Sequence, residues 1–64
     1  MTKSYNVEVW QERDRLHIWL QDSNESTLAE WWDDDARSMF EDGYFKWNDL
    51  SATVISYYET VIKG

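Results

Sequence analysis

The sequence predicts an α+β fold in one small domain, residues 1–64: an N-terminal β-hairpin followed by two α-helices packed on one face (ββαα). Three observations predict it. Two stretches near the N-terminus alternate apolar and polar residues with period two, as half-buried strands do. The middle holds an amphipathic acidic stretch bounded by a helix start signal and a helix stop signal. The last segment gathers its apolar residues on one half of a helical wheel.

The first alternating stretch, Ser4 to Glu12, puts Tyr5, Val7 and Val9 on one face and Asn6, Glu8 and Trp10 on the other. Arg15 to Asp22 opposes Leu16, Ile18 and Leu20 to His17, Trp19 and Gln21. A two-residue loop at Arg13–Asp14 sets Val9 opposite Ile18 and Val7 opposite Leu20, which keeps both aliphatic sets on one face. Arg-Asp lacks the glycine or asparagine that favours tight hairpin turns, so the turn type stays open. A lone hairpin is not stable in water, and its aliphatic face requires a cover.

After the polar connector Asp22 to Ser26, the stretch Thr27 to Gly43 reads as one helix. Thr27 and Glu30 have the spacing of a capping box. Gly43 can adopt the left-handed conformation that ends helices, with Tyr44 next in line to pack back. Leu28, Trp32, Ala36 and Met39 recur at spacings of three and four, widened by Ala29 and Phe40. Glu30, Asp33, Asp34, Arg37 and Glu41 fall opposite, while Trp31 lands at the margin with Asp35, Ser38 and Asp42. Tyr44 to Trp47 fits either an extended link or a brief third strand. Asn48 or Asp49 then caps a second helix, Leu50 to Ile62. There Leu50, Val54, Ile55, Tyr57, Tyr58, Val61 and Ile62 share one side. β-propensity favours a strand in this segment, but a strand would have no consistently apolar face.

With 64 residues and no cysteine, the chain has a small core and no disulfide or thiolate zinc site to reinforce it. Five Trp, four Tyr and two Phe supply apolar bulk instead. No apolar run reaches the ~18 residues of a membrane span and no signal-peptide pattern opens the chain, so the expected location is the cytoplasm. The formal charge is −7, and its placement is uneven. Glu8, Glu12 and Asp14 balance Lys3, Arg13 and Arg15, and Glu59 balances Lys63. The segment 22–49 sets nine acids against Arg37 and Lys46 alone. Such a field repels nucleic acid and anionic membranes and attracts basic surfaces.

Catalytic chemistry has little to draw on. His17 is the single histidine, there is no Cys–His pair, and no glycine-rich phosphate loop occurs. The chain reads as a non-enzyme without a cofactor. Asp33, Asp34 and Asp35 do not form a metal site on a helix, because consecutive side chains diverge by ~100°. What remains is the acidic helix as a docking surface. Glu41 and Asp42 lie in its last turn, where the macrodipole disfavours negative charge. The aspartates share only Arg37 as a helical partner. Glu30, Trp31, Asp33, Asp34, Asp35, Glu41 and Asp42 are therefore the candidate contacts for a basic partner surface. The plain alternative is a solvated face that keeps the protein soluble.

The segment Trp31-Trp32-Asp33-Asp34-Asp35-Ala36-Arg37-Ser38, followed by Phe40-Glu41-Asp42-Gly43-Tyr44-Phe45, resembles part of small acidic proteins encoded by bacteriophages. It is also loosely similar to an acidic stretch of an anti-CRISPR protein that mimics DNA. The resemblance covers about a quarter of the chain and leaves out the hairpin. It implies a phage-type inhibitor of a host nucleic-acid-binding defence complex, with Asp33, Asp34, Glu41 and Asp42 standing in for phosphates. A different class also fits: Trp10, His17 and Trp19 on the outer hairpin face form a candidate homodimer or adaptor surface.

Overall fold

The computed structural model describes residues 4–64. Strand β1 (Tyr5–Glu12) pairs antiparallel with β2 (Arg15–Asp22), and β2 pairs antiparallel with β3 (Thr27–Trp32), in sheet order β1-β2-β3. Helix α1 (Asp33–Glu41) follows directly, and a 3₁₀ turn (Trp47–Asp49) leads into α2 (Leu50–Tyr57). Five π-helical residues, Tyr58–Ile62, extend α2.

The hairpin register is the expected one, with Val9 opposite Ile18, Val7 opposite Leu20 and Trp10 opposite His17. Arg13 takes a φ of 56° at the first central turn position while Asp14 does not turn positive, the φ signature of a type II′ turn. The connector Asp22–Ser26 closes a second hairpin. Its Glu25 N–H donates to the Asp22 carbonyl at 3.1 Å, and the Asp22 carboxylate accepts from Asn24 and Ser26 N–H.

Thr27–Trp32 is a strand, not the first turns of a helix, and this corrects the helix expected from Thr27 to Gly43. The third strand of the sheet is therefore here, while residues 44–46 form an irregular link. The physical reason lies in β2. Its backbone presents hydrogen-bonding groups on both edges, and β1 satisfies only one. Ala29 opposes Leu20 and Trp31 opposes Ile18, so both fall on the aliphatic face. A bulge inserts Leu28 between Ala29 and Thr27, and Leu28 also packs against the core. Thr27 and Glu30 thus sit in strand pairing and form no capping box.

Helix α1 starts at Asp33, so the three aspartates occupy its first turn, where the macrodipole favours them. It ends as expected at Gly43. Tyr44 N–H donates to the Met39 carbonyl and Gly43 N–H to the Phe40 carbonyl, the paired bonds of a Schellman motif. Gly43 has a φ of 84°, and a Cβ there would meet nothing within 4 Å. Gly43→Ala should therefore cost only the backbone strain, about 1–2 kcal/mol. The check is a lower urea midpoint at unchanged slope.

Leu16, Ile18 and Leu20 of β2, Ala36 and Met39 of α1, Phe45 of the link and Val54 of α2 form the core. Ile18, Leu20 and Val54 are fully enclosed, each contributing roughly 1.5–3 kcal/mol by burial. Phe45, rather than Tyr44, is the residue that packs back from the helix end: it is buried, while Tyr44 is exposed. Asp49 occupies the N-cap of α2 but makes no side-chain cap bond. Val61 and Ile62, expected on the apolar side of the last helix, are exposed in the π-helical stretch. Among the described residues, no helix is long and apolar enough to cross a membrane.

Candidate interaction surfaces

Both helices cover the aliphatic side of the sheet, so the acidic side of α1 and the outer side of the sheet are left open on different parts of the molecule. On α1, Ala36 and Met39 turn inward and anchor the helix. Asp34, Asp35, Glu41 and Asp42 are all exposed. Positions seven apart share a helix face, so Asp34 aligns with Glu41 and Asp35 with Asp42, each pair about 10 Å apart along the axis. Asp34 accepts from Arg37 at 2.9 Å, and Asp42 accepts from the Ser38 hydroxyl at 3.2 Å. No basic residue stands in the last turn of α1, so Glu41 and Asp42 lie uncompensated at the negative end of the helix dipole.

Three expected contact residues are placed elsewhere. Asp33 is engaged within the molecule. Its carboxylate accepts the Leu16 backbone N–H at 3.0 Å and the Arg15 Nε–H at 3.1 Å. The Leu16 hydrogen bond, reinforced by Arg15 and by the charge of Arg37, lowers the Asp33 pKa below its ordinary 3.8, against a smaller opposing effect of burial. Trp31 does not stand among the acids at a helix margin. It is half-buried on the aliphatic face of β3, edge-on to Phe45 at 5.0 Å and to Tyr57 at 6.0 Å. Glu30 alternates to the outer sheet face, away from the α1 acids.

The outer sheet face has a regular order set by register. One cross-strand row reads Trp10–His17–Trp32, and the next reads Glu8–Trp19–Glu30. His17 lies between two indoles, parallel to Trp32 at 3.5 Å and stacked on Trp19 at 4.3 Å. Its Nε2 is 3.2 Å from Glu30 Oε2, and since a carboxylate only accepts, Nε2 carries the proton. Trp10 and Trp32 are 41% and 43% exposed. The expected trio Trp10, His17 and Trp19 is thus brought together. Trp32 and Glu8 join it, two residues that sequence reasoning missed. The alternation of β1 already put Glu8 beside Trp10, but Trp32 could be found only by recognising β3.

Among the described residues, no group of three or more His, Cys, Asp or Glu side chains is arranged to hold a metal ion. Comparison with known proteins finds no match: no family model, no curated protein and no solved structure.

Proposed function

We propose that this chain is a small, non-enzymatic acidic binding protein that docks the exposed carboxylates of α1 on a basic, nucleic-acid-binding surface of a host protein. In that reading it is a DNA-mimic inhibitor of the anti-defence kind, acting in the host cytoplasm. The observation that carries it is the position of Glu41 and Asp42. Negative charge there costs helix stability, roughly 0.3–1 kcal/mol for each residue at the surface, and no cation of the last turn offsets it. Charge that weakens the fold and is matched by no cation of its own helix end is explained by a basic partner outside. Asp34 and Asp35 continue the same exposed surface; Asp33, tied to Leu16 and Arg15, is left out of the docking set. The confinement of the sole histidine between two indoles and Glu30 supports the non-enzymatic part.

The test is affinity capture from a bacterial lysate with the wild-type chain and with Asp34→Lys/Glu41→Lys. The wild type should retain a basic protein at low salt and release it at high salt or to duplex DNA added as competitor. The double variant should retain at most about a tenth as much. Lysine at 41 improves the helix end while lysine at 34 weakens its start, so the two changes should leave the melting temperature nearly unchanged. Equal capture by a folded double variant would remove α1 as the docking surface.

A further inference from the structure

We infer that the outer face of the sheet is a second recognition surface, and that its occupant is an arginine side chain presented by a partner protein. The guanidinium would stack on the outer indoles, with its N–H groups taken by Glu8 and Glu30. This goes beyond docking through α1, because the two surfaces share no residue.

The argument starts from the rows across the sheet. Glu8 and Glu30 each face Trp19 across a strand pair, so their backbones stand two strand spacings apart, ~9.5 Å, with an indole between them. Each carboxylate is already oriented by one bond within the fold. Glu8 Oε1 accepts from the Asn6 amide at 2.8 Å, and Glu30 Oε2 accepts from His17 at 3.2 Å. The second oxygen of each has no protein partner among the described residues. The face therefore combines aromatic rings with pre-positioned acceptors, and Arg15, the next outward residue of β2 beyond His17, is held by Asp33.

Three kinds of occupant could cover exposed indoles, and charge separates them. A nucleic-acid strand would stack its bases on such rings, but its phosphates would meet two carboxylates on a chain of net charge −7. A second copy of this chain would bring a second Glu8 and a second Glu30 into the same desolvated patch, where like charges repel. A guanidinium suits both halves of the surface. It is planar, weakly hydrated, stacks on aromatic rings and pairs with carboxylates through a fork of N–H donors. A lysine ammonium offers a strongly hydrated point charge and no plane to stack.

The experiment is a titration of the isotopically labelled protein with a capped Gly-Arg-Gly-Arg-Gly peptide, followed by NMR. Its lysine counterpart and a short oligothymidylate serve as competing probes, and sedimentation equilibrium reports self-association. The arginine peptide should shift the indole N–H signals of Trp10, Trp19 and Trp32, at least ~fivefold more tightly than the lysine peptide. Glu8→Gln/Glu30→Gln, at exposed positions, should weaken it at least ~fivefold. Asp34→Lys/Glu41→Lys should leave these indole shifts unchanged, so failure of α1 docking and failure of this surface are read separately. The inference is overturned if lysine or oligothymidylate shifts the indoles as strongly. Shifts confined to α1, or a dimer that buries the indoles in the peptide's absence, overturn it equally.

Discussion

Trp31→Ala should lower the melting temperature by on the order of 15 °C and leave capture through the acidic helix intact wherever the variant is still folded. The expectation follows from where the indole sits. Trp31 is opposite Ile18 in the sheet and meets Phe45 and Tyr57 edge-on. Phe45 is in turn edge-on to Phe40 of α1 and to Tyr57 of α2. One ring thus joins the edge strand to the link and to the last helix. Truncating buried tryptophan to alanine costs about 3–5 kcal/mol, and partial exposure of Trp31 reduces that to about 2–4. A chain of this length has roughly 3–10 kcal/mol of total stability, so the variant approaches the folding threshold. Trp31→Phe retains an edge-to-face ring and should lose about half as much. Thermal melts by circular dichroism check both. Were Trp31→Ala to melt like the wild type yet lose partner capture, the indole would be a contact residue and not part of the core.

That contrast marks where the sequence was legible. The hairpin could be read because β1 and β2 alternate without interruption, so one register alone keeps both aliphatic sets together. Gly43 could be read because a helix end that needs positive φ leaves few residue choices. The class, α+β, followed from these. The third strand was concealed by its own bulge: inserting Leu28 breaks the alternation of Ala29 and Trp31, and Leu28, Trp32 and Ala36 then match a helical period by coincidence. Thr27 and Glu30 completed the coincidence with the spacing of a capping box. One signal pointed the other way. Asp33-Asp34-Asp35 is the acid-rich first turn that helix starts favour, which sets the boundary six residues later than Thr27. The candidate site shared this fate, because moving the boundary sends Trp31 inward, Glu30 and Trp32 outward, and the Asp33 carboxylate onto the backbone of β2.

Asp33 at that boundary is the residue on which the strand-to-helix turn depends, and its removal should rank with that of Trp31. Trp32 is the last residue of β3 paired to β2, opposite His17, so the next N–H of β2 on that side, Leu16, has no strand carbonyl to bind. The Asp33 carboxylate takes it at 3.0 Å, and Leu16 is buried. Without that acceptor a shielded backbone donor is left unpaired, an expensive state. Asp33 also has a φ of 43°, a left-handed conformation that aspartate and asparagine tolerate better than alanine. A series separates the two contributions. Asn at 33 keeps an acceptor and the tolerated backbone, Gly keeps only the backbone freedom, and Ala keeps neither. Melting temperatures should fall in that order, with Asp33→Ala lower than wild type by on the order of 10 °C. A glycine variant as stable as wild type would mean that the carboxylate contributes nothing. The depressed pKa adds a pH signature of definite sign. Stability from the ionised carboxylate is fully present above the unfolded value near 3.8 and is lost as pH falls through the lower folded value. Protonating the other acids of this −7 chain relieves repulsion and works in the opposite sense, so the difference between wild type and Asp33→Asn isolates Asp33. Urea midpoints from pH 7 down to about 2 should run apart above pH 3.8 and converge below it. Parallel midpoints across that range would show that the Leu16 and Arg15 bonds do not depend on the charge of Asp33.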